Sequence, residues 1–227
     1  MTTRLYSPCR VLTRRVLLAA IVVTGLFAAT IPQARAQFWS TTPSANPDPA
    51  RIYLLRGLFG VFSLGMDQLA AKLSTQGYNP VLLSWTDASV VVDQVTQARR
   101  GGDNSPIILI GHSLGSNAVA GIASSLGEQN IPVELVVTFD ATEPVPVSAN
   151  VKRCINFFQY NGFGRPLTAG PGFKGVLQNI NLSSDKNITH GNIDEAGELQ
   201  AVVTDRIFEI ANQQMKTAAA TQKPRRP

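Results

Sequence analysis

Residues 106–121, PIILIGHSLGSNAVAG, place a serine at 113 between glycines at 111 and 115. A serine hydroxyl becomes a nucleophile when a nearby base takes its proton and a third group orients that base. The chain holds only two histidines, His112 and His190. His112 neighbours Ser113 in sequence, so its ring points away from the hydroxyl and reads as a packing residue beside the turn. His190, in SSDKNITHGNID, is then the one base this serine can use. Asp140 closes the apolar run PVELVVTFD and is the expected acid. Asp185, five residues before His190, is its rival.

Those groups need a frame. Short apolar runs alternate along the chain with amphipathic ones. RIYLLRG (51–57), NPVLLSW (79–85), PIILIGH (106–112), PVELVVTFD (132–140), VKRCINFFQY (151–160) and GVLQNINLS (175–183) read as strands. Residues 65–77, 88–102, 114–130 and 194–215 read as helices, two of them stopped by glycine. The central strands are apolar throughout, as expected of a parallel sheet covered on both faces. The pattern predicts an α/β fold, a three-layer sandwich with a mostly parallel central sheet. Ligands of such sheets bind beyond the carboxyl ends of the strands. That is where the turn at Ser113, the end of the run at Asp140 and the loop at His190 all fall.

Gly111-His112-Ser113-Leu114-Gly115, preceded by IILI and followed by SNAVAGIASSL, fits a strand, a sharp turn and a helix. The helix start supplies positive potential and a free N–H at Leu114, suited to an oxyanion. In this, residues 51–215 resemble the α/β-hydrolase superfamily, in its small serine esterase, lipase and thioesterase branch. The family's chain order is nucleophile, acid, histidine, and Ser113, Asp140 and His190 follow it. In much of the family the acid follows the next strand. Here that strand runs into NGFGRPLTAG, which has no acid, and a subset of lipases places it one strand earlier. RGLFG (56–60) looks like the family's H-G-x-x-G stretch, with Arg56 where histidine is common. The resemblance implies a second oxyanion donor there, the Leu58 N–H or alternatively that of Phe59. About ten residues separate TFD from VKRCINFF, so no lid domain fits. Residues 161–175 are the expected substrate rim, with Phe163, Leu167 and Phe173 as apolar contacts, and residues 57–65 the opposite wall.

The resemblance implies cleavage of a carboxylic ester or thioester of a small-molecule or lipid acyl substrate, without a cofactor. A peptidase on the same fold, or a non-catalytic envelope or binding protein that keeps it, are the alternatives. The formal net charge of +5 does not point to nucleic acid. Residues 1–36 hold five arginines and no acid, and without them 15 basic residues face 15 acidic ones. Residues 1–36 read as a signal peptide: a basic start, the apolar VLLAAIVVTGLFAAT, and ARA before Gln37. The paired arginines of TRRVLL also suit a twin-arginine signal. Residues 37–50 read as a leader loop and 216–227 as a basic, disordered tail. The expected product is an exported, periplasmic or secreted bacterial protein with no membrane span after signal cleavage. Cys9 lies in the signal, so Cys154 has no internal disulfide partner and reads as a buried apolar residue. One mature cysteine and two histidines do not make a metal site.

Overall fold

The computed structural model describes residues 49–58 and 63–221. The signal peptide and nearly all of the leader loop lie outside the described residues. Six strands, β1 (Arg51–Arg56), β2 (Val81–Ser84), β3 (Ile107–His112), β4 (Leu135–Phe139), β5 (Arg153–Phe158) and β6 (Val176–Asn181), form one sheet in the order β2-β1-β3-β4-β5-β6. Every pairing is parallel. Among the described residues α1 (Leu64–Thr75), α2 (Ala88–Arg100) and α3 (Leu114–Glu128) alternate with β1 to β4, and α4 (Gly197–Thr221) follows β6. This is the expected α/β fold, with the sheet parallel throughout.

The strands' side-chain alternation separates two cores. Ile52 and Leu54 of β1 point to one face, where α1 lays Met66, Leu69 and Leu73 and α4 lays Leu199, Val203 and Ile207. Tyr53 and Leu55 point to the other, against Val91 and Val95 of α2 and Val119, Ile122 and Leu126 of α3. Leu54 and Leu55 are both fully buried. Each such leucine contributes about 2 kcal/mol of burial free energy. Cys154 sits wholly buried in the second core, and burial pushes its thiol up to about 12.

Local chemistry sets the element ends. Past α1, Gly77 takes φ 88°, and the N–H groups of Gly77 and Tyr78 return to the Ser74 and Leu73 carbonyls, a left-handed helix stop. Between β2 and α2 a single 3-10 turn, Trp85–Asp87, is closed by a reciprocal cap from Ser84 and Asp87. One sequence expectation needs correction here. Residue 216 was expected to open a disordered tail, yet α4 continues to Thr221. The run Ala218-Ala219-Ala220 explains this, since alanine loses least on entering a helix. Residues 222–227 lie outside the described residues. No helix among the described residues is long and apolar enough to cross a membrane.

The chain winds outward from β1 to β2, then returns past β1 to β3 and on to β6. The crossing point of such a sheet leaves a crevice at the carboxyl ends of the two central strands. Residue 57 follows β1 and residue 113 follows β3, so both flank that crevice.

Candidate active site

Ser113 stands between β3 and α3 with φ 56° and ψ −122°. This backbone is unfavourable for a side chain and is held by its surroundings. The Ser113 N–H donates to the Phe139 carbonyl at 3.0 Å. Buried Ser116, one turn into α3, donates to the Gly111 carbonyl at 2.7 Å and accepts the Phe139 N–H at 3.2 Å. The flanking glycines are required by contact. A Cβ at Gly111 would lie 2.3 Å from the Gly115 carbonyl oxygen, and one at Gly115 would lie 2.1 Å from that of Leu55. The first turn of α3 therefore presses directly on β3 and β1, leaving no room for a side chain at either position.

The structure brings the three expected side chains together. His190 Nε2 lies 3.0 Å from Ser113 Oγ, and His190 Nδ1 lies 2.6 Å from Asp140 Oδ2. With Nδ1–H donating to the carboxylate, Nε2 is free to accept the serine proton. Asp140 is fully buried, and its second oxygen accepts the N–H groups of Gln159 and Gly164, each at 3.0 Å. These bonds fix the carboxylate face that meets the imidazole. Asp140 itself has φ 50°, so acid and nucleophile both sit on unfavourable backbone. Asp185 is not at the site: it accepts the Asn187 N–H at 2.9 Å within its own turn.

His190 lies in a self-bonded loop between β6 and α4. Asn192 Oδ1 accepts the Thr189 N–H, and the Ile193 N–H returns to the Thr189 carbonyl. Buried Gln159 donates from Nε2 to the Ile188 carbonyl at 2.7 Å. Since its own N–H also holds Asp140, Gln159 ties Asp140 to the loop that carries His190. Nothing in the sequence pattern marks Gln159, which falls at the end of an apolar run like many others.

Leu114 opens α3, where the first N–H groups have no partner within the helix. Leu58 follows β1 and is half-exposed; Phe59 lies outside the described residues. Arg56 is turned to Asp67 of α1, with Nε 2.8 Å from Oδ2. The hydrogen bonds of that ion pair shift the Arg56 guanidinium upward and the Asp67 carboxyl downward.

The expected rim is corrected in two of three residues. Phe163 is exposed and meets the His190 ring edge-on, centroids 4.7 Å apart. Leu167 is buried in the second core, and Phe173 packs against that core. Asn179 holds the loop inward at Leu167, accepting its N–H at 2.8 Å and donating to its carbonyl at 3.0 Å. A trough of about 510 Å³ runs between α2 and α3, its lining including Trp85, Val92, Leu114, Asn117, Gly121 and Glu143. Among the described residues no three His, Cys, Asp or Glu side chains gather in a way that could hold a metal ion.

No protein-family profile matches the chain, and no curated protein matches it. Among solved structures it is similar to a proposed hydrolase of the alpha/beta superfamily from Xanthomonas campestris pv. campestris. Their identity is 14%, over 69% of this chain and 99% of the other, with a TM-score of 0.39. At that distance the fold rests on the sheet order, and the chemistry on the site itself.

Proposed function

We propose that this protein is a serine hydrolase of the α/β-hydrolase type that cleaves carboxylic esters or thioesters. The observation that carries the reading is the continuous chain from Ser113 Oγ through both nitrogens of His190 to Asp140 Oδ2, at 3.0 and 2.6 Å. His190 takes the serine proton as Ser113 attacks the acyl carbonyl. Asp140 orients the ring and stabilises the imidazolium that forms. The N–H of Leu114, with that of Leu58, stabilises the tetrahedral oxyanion. His190 then returns its proton to the leaving alkoxide or thiolate. Water, deprotonated by His190, attacks the acyl-enzyme and frees the acid. Every charge that develops is met by a group of the chain, so the reaction balances without a cofactor.

The apolar trough beginning at Leu114 supports an acyl chain as the substrate's buried part. The signal-like residues 1–36 support export, with cleavage after Ala36; N-terminal sequencing of the secreted product should then begin at Gln37.

A fluorophosphonate probe and p-nitrophenyl butyrate test the reading together. The wild-type protein should label and turn over, and Ser113→Ala should do neither. A folded wild-type protein inert to both reagents would leave the non-catalytic alternative standing.

A further inference from the structure

Behind the catalytic chain lies a second serine-histidine-aspartate cluster. Ser63, His112 and Asp194 are each fully buried, and the His112 ring lies 5.1 Å from the His190 ring, centroid to centroid. His112 Nε2 lies 2.7 Å from the His190 carbonyl oxygen. A carbonyl can only accept, so Nε2 carries the proton. His112 Nδ1 lies 2.8 Å from Ser63 Oγ, and Ser63 Oγ in turn lies 2.9 Å from the Gly57 N. An N–H can only donate, so Ser63 accepts from Gly57 and keeps its own proton to give to an unprotonated Nδ1. A neutral imidazole in the Nε2–H form satisfies both of these bonds. Burial supports that state, pushing His112 down to about 4.

Resting on the reading of Ser113 as nucleophile, we propose that His112 is a positioning residue that, through Ser63, sets the oxyanion turn after β1 and the loop carrying His190 in register with one another. The Gly57 N–H is spent on Ser63, which leaves Leu58 as the next N–H of that turn to face the oxyanion. The turn has little slack: a Cβ at Gly57 would lie 2.8 Å from Ser113 Cβ. One imidazole therefore spans the two pieces that must close on the same tetrahedral centre, the donor for the oxygen and the base for the proton. Ser113 comes into register with both because His112 is the residue before it, on the same strand end.

The two arms can be cut separately. In His112→Asn the amide oxygen can still accept from Ser63, but the reach to the His190 carbonyl is lost. In Ser63→Ala the oxyanion turn is released while the His190 arm stays. Both should lower kcat for p-nitrophenyl butyrate about 30-fold with KM changed less than about threefold, the signature of lost geometry rather than lost binding. The low-field proton resonance of His190 Nδ1–H should broaden or shift in His112→Asn and stay in place in Ser63→Ala. Folded variants with wild-type kcat would overturn the proposal. Should neither variant fold, the wild-type protein still decides it: nitrogen chemical shifts of His112 must report Nε2–H at neutral pH, and an Nδ1–H tautomer sinks the proposal. A wild-type protein that shows the Nε2–H form yet neither labels nor turns over would refute the hydrolase reading instead, and with it the catalytic purpose of the link.

Discussion

Gly164 closes on the acid of the site from a loop that follows it in sequence: its N–H lies 3.0 Å from Asp140 Oδ1. A Cβ built on Gly164 would stand 2.0 Å from that oxygen. The residue can approach the carboxylate only because it has no side chain. Gly164→Ala should therefore displace Asp140 or the loop, and with it the orientation of His190. We expect kcat to fall about 100-fold, with a Tm loss of only a few degrees because Gly164 itself belongs to neither core. Steady-state kinetics beside a thermal melt will check this; a parallel loss of fold and activity would show that the loop serves stability alone.

The acid itself can be assigned by paired substitutions. Asp140→Asn keeps the shape but favours the wrong imidazole tautomer, and a loss of about 10⁴ in kcat is expected for a serine triad. Asp185→Asn should remain within about twofold of wild type, since it lies away from Ser113 and the amide keeps an oxygen to accept the Asn187 N–H. Turnover that survives in the first and vanishes in the second would place the acid elsewhere.

The buried pair His112 and Asp194 predicts opposed pH dependences of stability. His112 Nδ1 and Asp194 Oδ2 lie 3.8 Å apart, and neither carboxyl oxygen of Asp194 has a hydrogen-bond partner. Burial pushes Asp194 from 3.8 up to about 7 and His112 from 6.5 down to about 4. His190 and Asp140 face the histidine; Glu195 and the N–H groups of Gly65 and Met66 face the carboxyl. The folded Asp194 keeps a proton the unfolded chain loses, so its contribution is full below about pH 4 and is lost as pH rises toward about 7. The folded His112 refuses a proton the unfolded chain takes, so its contribution is full above about pH 6.5 and is lost as pH falls toward about 4. In wild type the two oppose one another. Relative to it, Asp194→Asn should gain Tm as pH rises through this window, and His112→Asn should lose it. Thermal melts across the range will show diverging difference profiles; parallel ones would mean that the pair does not titrate as described.

The trough beside Leu114 can be shortened at Gly121, where an added Cβ meets nothing within 4 Å. Gly121→Leu should leave p-nitrophenyl acetate turnover unchanged and lower kcat/KM for the octanoate about tenfold, since a few methylenes in an apolar groove discriminate on that scale. A helix also tolerates leucine better than glycine, so the variant should fold. Equal effects on both esters would remove the trough from the substrate path.

Much of the site could be read from the chain because its signals were local or scarce. The turn at Ser113 is a contiguous pattern, His190 followed from the shortage of histidines, and Asp140 lay at a strand end. What escaped was made by contacts between distant segments. Gln159, Gly164 and Ser63 act through bonds that cross many residues and often end on backbone, and Asp194 through a 3.8 Å approach to His112, none of which any periodicity reports. His112 was read as packing; it is buried as that implies, but hydrogen-bonded at both ring nitrogens. Leu167 and Phe173 looked like rim residues because a loop's composition does not say which side chains turn inward.

The backbone at Ser113 has a further consequence for how such a chain drifts. At φ 56° and ψ −122°, glycine is the residue the fold itself would choose. Ser113→Gly should relieve about 1 kcal/mol of strain while abolishing nucleophilic attack. A duplicated copy freed from selection on turnover would thus lose its reactive residue downhill in stability. The presence of serine at this position is a standing cost to the fold, and under the proposed function turnover is what offsets it.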